Sequence, residues 1–233
     1  MLKINDLSFG YTSTKVIKDL DGEWEQGEIA GIVGLNGSGK TTLFQLIFGL
    51  LKPDEGYILF SGKKINKLVA SFVPAENYFY SFISGYDYLS LFEKNRKAID
   101  HWNQLFDLPL KQLVDNYSTG MKKKLAIAGA LMIKTPLILL DEPFNGLDLE
   151  SVHRLSLALN KLKDQGKTIF ISSHNVDHLG KIATSMTFLF QGKILTKDVS
   201  PPFHQFNETV TNQLASKSKQ LVEEVFRANN FRA

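Results

Sequence analysis

The run Gly34-Leu35-Asn36-Gly37-Ser38-Gly39-Lys40-Thr41-Thr42 has the residue types and spacing that grip phosphate. It reads G-x-x-x-x-G-K-[ST], follows the apolar stretch Ile29 to Val33 and opens the helix-forming stretch Leu43 to Leu50. Glycines let successive backbone N–H groups turn inward around a phosphate chain. The helix that follows adds unpaired N–H groups and its positive dipole end. The residues expected to face a nucleoside triphosphate are Gly34, Asn36, Gly37, Ser38, Gly39, Lys40, Thr41 and Thr42. Lys40 has the charge and reach for the β- and γ-phosphates, and Thr41 offers a hydroxyl to Mg²⁺. Without the flanking strand and helix the same letters would describe a glycine turn beside a surface lysine.

A second constellation is Leu137-Ile138-Leu139-Leu140-Asp141-Glu142-Pro143, an apolar strand ending in two carboxylates. In open α/β sheets the ligand sits beyond the carboxyl ends of the strands, where the phosphate loop also lies. Asp141 is placed there to hold Mg²⁺ directly or through water, and Glu142 to polarise an attacking water. Taken alone, the pair would serve equally as a solvated cap on the next helix.

The segment Asn116 to Lys124 narrows the family. Tyr117-Ser118-Thr119-Gly120-Met121 resembles the L-S-G-G-Q signature of the ATP-binding cassette (ABC) ATPases and lies just upstream of Asp141, as it does there. Ser118 and Gly120 match the signature's serine and second glycine; Thr119 and Met121 depart from it. The form Y-S-x-G-M followed by basic residues is similar to the ATPase subunits of bacterial exporters whose membrane part is a separate chain. Tyr11 matches the aromatic residue that stacks on adenine, and Asn145-Gly146-Leu147-Asp148 the loop that crosses the dimer interface. His174, in Ser172-Ser173-His174, matches the switch histidine at the γ-phosphate. One position departs: the family places glutamine after Val-Pro, whereas this chain reads Val73-Pro74-Ala75-Glu76-Asn77. Either Glu76 takes over that contact or it is missing.

The resemblance implies an α/β P-loop NTPase with a RecA-like core, an antiparallel β subdomain and an inserted helical subdomain at about 77–132. It further implies ATP and Mg²⁺ as cofactors and a second ATPase subunit, here a second copy, whose signature helix faces the nucleotide. A transmembrane permease subunit would hold the chain on the cytoplasmic side of the cell membrane, and the work would be export. A soluble ABC ATPase with a mechanical or regulatory role is the alternative. The aromatic run Tyr78, Phe79, Tyr80, Phe82, Tyr86, Tyr88 and Phe92 either lines the groove for a helix of the membrane subunit or fills the helical subdomain.

Positioning these residues requires strands alternating with helices, hence a mostly parallel three-layer sheet. Strands are expected at Leu2–Phe9, Ile29–Val33, Tyr57–Phe60, Ala70–Pro74, Leu137–Leu140 and Thr168–Ser172, and a hairpin at Thr187–Leu195. The segment near Gly56 to Phe72 is expected to complete the antiparallel portion. Helices are expected from Lys40 to Gly49, Glu150 to Gln165 and Val176 to Ala183, with a helical tail over about 205–233 carrying Phe206, Val210, Leu214, Leu221, Val225 and Phe226. The 233 residues suffice for one large α/β domain. A net charge of +3 points to no nucleic-acid partner, and the absence of cysteine excludes a disulfide framework. The opening Met1-Leu2-Lys3-Ile4-Asn5-Asp6 lacks the apolar core of a secretory signal. The longest apolar stretch, Leu43 to Leu51, falls short of the ~20 residues of a membrane span.

Overall fold

Apolar runs with no polar interruption bury on both faces, and three such runs, at Ile29–Val33, Leu137–Leu140 and Ile169–Ile171, form the centre of this protein. The structure, a computed structural model, describes residues 1–65, 68–198, 203, 206, 208–212 and 215. In chain order the elements are β1 (Leu2–Gly10), β2 (Lys15–Trp24), β3 (Ile29–Val33), α1 (Lys40–Phe48), β4 (Glu55–Phe60), β5 (Lys63–Lys64) and β6 (Ala70–Val73). There follow α2 (Gly85–Leu89), α3 (Arg96–Asn103), a 3₁₀ turn at Val114–Asn116, α4 (Thr119–Met132), β7 (Leu137–Asp141) and α5 (Leu149–Asp164). The described part closes with β8 (Thr168–Ser173), α6 (Val176–Gly180), β9 (Ser185–Phe190), β10 (Lys193–Asp198) and helical turns at Phe206 and 208–212.

Among the described residues there are two sheets. One runs β2-β1-β4-β5 and is antiparallel; the other runs β10-β9-β3-β8-β7-β6 and is parallel except for β10. In the parallel sheet, β3 and β7 both pair with β8, which brings the end of β3 beside Ser173 and Asp141 opposite Ser172. The alternation of side chains sorts the sheet's two faces. Leu137 and Leu139 join α1 and the antiparallel sheet in one core, with Leu43, Phe44 and Ile47 between the sheets. Ile138 and Leu140 face the other core, built with α4, α5 and the helical region. Each fully buried Leu, Ile or Phe there contributes about 1.5–3 kcal/mol, and α1 is thereby pinned with its N-terminus at the sheet's carboxyl edge.

Two expectations need correcting. The antiparallel sheet ends at Lys64, and β6 belongs to the parallel sheet, where Ala70–Val73 pairs in register with Leu137–Leu140. Ala70 and Val73 are buried as a strand bordering the parallel core must be. The stretch expected to be helical from Asn77 to Met132 contains only short helices before α4, and residues 74–84 are irregular. Strand β2 was not anticipated from the sequence; its inward residues Ile17, Leu20 and Trp24 are separated by charged ones without strict alternation. Of the expected tail, Phe206 and Val210 pack into the core, Phe206 lying edge-on to Phe188 at 6.4 Å. Leu214, Leu221, Val225 and Phe226 lie outside the described residues.

The aromatic run divides. Phe79 and Phe92 flank Tyr88, with ring centroids 4.8 and 5.2 Å from it, and pack on the helical core, whereas Tyr78, Tyr80 and Phe82 are exposed. Burial pushes the Tyr88 phenol up to about 12. An unfolded chain ionises this group near pH 10, so the stability that comes from keeping Tyr88 neutral is whole below pH 10 and is lost as pH rises toward 12. On the order of 2 kcal/mol is at stake. Urea unfolding at pH 9 and pH 11.5 should show Tyr88→Phe losing less stability than wild type across that interval; equal losses would rule out this source.

Candidate active site

The loop between β3 and α1 wraps the lysine that follows it. Gly37 and Gly39 take left-handed φ values of 77° and 105°, with Gly39 capping α1. A Cβ at Gly34 would lie 2.4 Å from Ser38 Oγ, so only glycine lets the loop close on itself. Lys40, 7% exposed, donates from Nζ to Gly34 O at 2.8 Å and Leu35 O at 3.3 Å and lies 3.5 Å from Glu142 Oε1. Ser38 O accepts from the Gly192 N–H at 3.1 Å, so the β9–β10 turn braces the loop from behind. Ser38 Oγ is buried and has no hydrogen-bond partner among the described residues.

The loop borders a cavity of about 280 Å³ lined by Asn36 to Thr42, Val16, Ala75 and Glu142. At its floor Thr41 Oγ1 donates to Asp141 Oδ2 at 2.6 Å. Asp141 is fully buried, and its other oxygen accepts from the Ser172 hydroxyl. Ser172 Oγ in turn accepts the Glu142 N–H at 2.9 Å. Ser172 thus holds both acidic residues, a role the sequence analysis did not give it; its one clue was a serine at the end of a buried strand. Glu142 stands at φ 48°, a left-handed conformation. Its carboxylate lies 3.1 Å from His174 Nδ1 and accepts from Asn145 Nδ2 at 3.3 Å. Lys40, Thr41, Asp141, Glu142 and His174 are therefore brought together from the ends of β7 and β8 and the start of α1.

Tyr11 sits beside this group. It is 61% exposed, with its hydroxyl 3.1 Å from Gln45 Oε1 and 3.4 Å from Thr42 Oγ1. Ser118 and Gly120 are elsewhere: neither lines the 280 Å³ cavity. Ser118 caps α4 by accepting the Met121 N–H at 3.2 Å, and its own side is exposed. A Cβ at Gly120 would lie 2.7 Å from Gly146 O, so the start of α4 and the loop after Glu142 are in close contact. Lys124 reinforces this by donating to Asp148 at 2.6 Å and holds that carboxyl well below the usual range. Glu76 does not line the phosphate cavity; it accepts from the Tyr78 hydroxyl at 3.1 Å and borders a neighbouring 440 Å³ cavity with Ala75, Thr119 and Lys122.

Lys123, one of three consecutive lysines with nothing in the sequence to set it apart, is also part of the site. Only 5% exposed, it donates from Nζ to the carbonyls of Pro74 (3.1 Å), Ala75 (2.9 Å) and Asp141 (3.3 Å). Burial lowers its pKa, and the Asp141 and Glu142 carboxylates oppose that shift.

A lysine held inside its own glycine loop, above a hydroxyl–carboxylate pair at the sheet's carboxyl edge, is the phosphate-gripping arrangement of the P-loop ATPases. Comparison with known proteins places the chain within that class. The family model described as "ABC transporter" matches residues 17–145, more than half of the sequence, and the chain belongs to that family. The bacitracin transport ATP-binding protein BcrA of Bacillus licheniformis is 33% identical over 210 residues, covering 84% of this chain and 68% of the relative. The cobalt import ATP-binding protein CbiO of Salmonella typhimurium is 33% identical over 216 residues, covering 84% and 80%. A solved ATP-binding subunit of an ABC transporter superposes with a TM-score of 0.80 at 28% identity, over 89% of this chain and 93% of that one. The protein is an ATP-binding subunit of an ABC transporter and an ATP hydrolase. No helix among the described residues is long and apolar enough to cross a membrane.

Proposed function

We propose that two copies of this chain close over two ATP molecules, hydrolyse them, and thereby drive a separate membrane subunit that exports its substrate. The observation that carries the reading is the split between the cavity and α4. The phosphate cavity is walled by residues 36–42, Ala75 and Glu142, while Ser118 and Gly120 stand outside it at an exposed helix N-terminus. Such an end attracts anions, and a second copy's nucleotide is the anion within its reach.

The loop fits a triphosphate: Gly37 and Gly39 bend its backbone through left-handed φ, Lys40 is buried against it, and Ser38 Oγ awaits a partner. Mg²⁺ fits the hard oxygens of Thr41 and Asp141, which match a cation that takes one or two carboxylates and completes its shell with phosphate and water. Bound there, it would neutralise charge on the phosphates. Lys40 and the loop N–H groups stabilise charge as the terminal phosphoryl group is transferred. Glu142 orients the attacking water and accepts its proton, with His174 and Asn145 fixing the carboxylate. Tyr11 offers its exposed ring to the adenine.

Tyr78, Tyr80 and Phe82, at 87, 77 and 84% exposure, are the proposed seat of the membrane subunit, since exposed aromatic clusters anchor partners. Export is supported by the Tyr117-Ser118-Thr119-Gly120-Met121 form. Import is the second reading, favoured by the likeness to a cobalt import protein. The test is co-purification with a multi-span membrane protein when the chain is captured from its native membranes, followed by substrate flux in inside-out vesicles supplied with Mg-ATP. Replacing Tyr78, Tyr80 and Phe82 together with serine should cut recovery of the membrane subunit at least tenfold. Uptake into such vesicles marks export; ATP-driven release marks import and overturns the exporter reading.

A further inference from the structure

The last backbone pair between β6 and β7 is Val73 with Leu140. Beyond that rung the chains part, Pro74 toward the irregular 74–84 stretch and Asp141 toward Glu142. Three carbonyls of the parting chains, at Pro74, Ala75 and Asp141, converge on one ammonium, that of Lys123. A buried cation is stable only if its donors are used, and Lys123 has three donors for three acceptors. Ala75 has no side chain that could fix its own loop, although it borders both the phosphate cavity and the neighbouring one. Lys123 comes from α4, one turn after Thr119 and therefore on the same helix face.

We propose that Lys123 is a positioning residue for hydrolysis, tying the Pro74-Ala75 backbone and the end of β7 to α4 so that the three move as one body with Glu142. The inference rests on the reading of Glu142 as the residue that orients water. Lys123 touches neither the phosphate loop nor the ATP it would hold. Its part is to set where Ala75 and Glu142 stand when α4 is pulled by a closing partner or by the membrane subunit. An apolar side chain of the same length would fill the same space and leave the three carbonyls unheld.

Lys123→Met and Lys123→Gln test this in the full-length protein. Steady-state ATPase rates give kcat and KM, titration with a fluorescent ATP analogue gives nucleotide Kd, and hydrogen exchange reads the Glu142 amide, which donates to Ser172 Oγ and belongs to the peptide unit whose Asp141 carbonyl Lys123 holds. Lys123→Met should lower kcat 10- to 100-fold, leave Kd within threefold, and speed exchange at Glu142 at least tenfold. Lys123→Gln keeps two N–H donors and should recover at least threefold of the lost kcat. A folded Lys123→Met with kcat within twofold of wild type and unchanged exchange overturns the proposal. So does a loss of kcat matched by an equal loss of nucleotide affinity, which marks general damage. If Lys123→Met does not fold, Lys123→Gln is compared with wild type directly, and equal exchange at Glu142 overturns it. A Glu142→Gln protein that hydrolyses normally would instead sink the reading of Glu142, and the exchange result would still decide what Lys123 holds.

Discussion

Glu142→Gln should lower ATP turnover by about 10²- to 10⁴-fold, the range expected when a general base is removed. The change keeps the size of the side chain and its contacts with Asn145 and His174, while the amide can no longer accept a proton from water. Binding should survive, because the phosphate loop makes its own contacts through Lys40 and the backbone N–H groups. Lys40 loses a charged neighbour at 3.5 Å in this variant and is freer to meet phosphate. Nucleotide titration should therefore show affinity equal to or tighter than wild type, and light scattering with saturating Mg-ATP should show a dimer, since two trapped nucleotides add contacts only to the closed pair. Turnover within tenfold of wild type would remove Glu142 from the chemistry, and a scattering mass that stays monomeric would count against self-pairing.

Lys40→Ala acts earlier. The ammonium is nearly sealed from solvent and held by two loop carbonyls at the cavity wall. Charge-assisted hydrogen bonds to phosphate are about twice as strong as neutral ones, so their loss should weaken ATP binding by about 10- to 10²-fold, reading the ~1.5–3 kcal/mol of a charged hydrogen bond as affinity. The truncation also leaves Glu142 without its cationic neighbour and the Gly34 and Leu35 carbonyls without the donor they share. Isothermal titration with Mg-ATP checks the affinity, and a Kd within fivefold of wild type would show that the backbone alone carries the phosphates.

Which parts of this protein were legible in its sequence follows from how locally each was specified. The phosphate loop was, because glycine at positive φ, a lysine and a helix start all fall within nine residues. Strands β3, β7 and β8 were, because a strand buried on both faces is an unbroken apolar run. Strand β2 was not: it is half exposed and carries Asp19, Asp21 and Glu23 among its buried residues, so its place is set by pairing with β1. The sheet to which β6 belongs was misread because a short strand gives no sign of its partner; β7, more than sixty positions on, decides it. Ser172 and Lys123 escaped for the same reason. A serine and a lysine acquire their roles only when folding brings Asp141, Glu142 and the Pro74-Ala75 carbonyls to them. Ser118 and Gly120 were legible as letters, yet their position outside the cavity could be learned only from the fold.

The left-handed backbone of Glu142 carries an evolutionary consequence. Its φ of 48° lies where a side chain with a Cβ costs roughly 1–2 kcal/mol that glycine would not. Glycine there would relieve that strain but would also take away the carboxylate that faces buried Lys40 and meets Asn145 and His174. Selection for a sturdier protein and selection for a working one pull in opposite directions at this position. A lineage freed from the need to hydrolyse ATP would be expected to drift here toward asparagine, which tolerates a left-handed backbone and keeps a polar side chain.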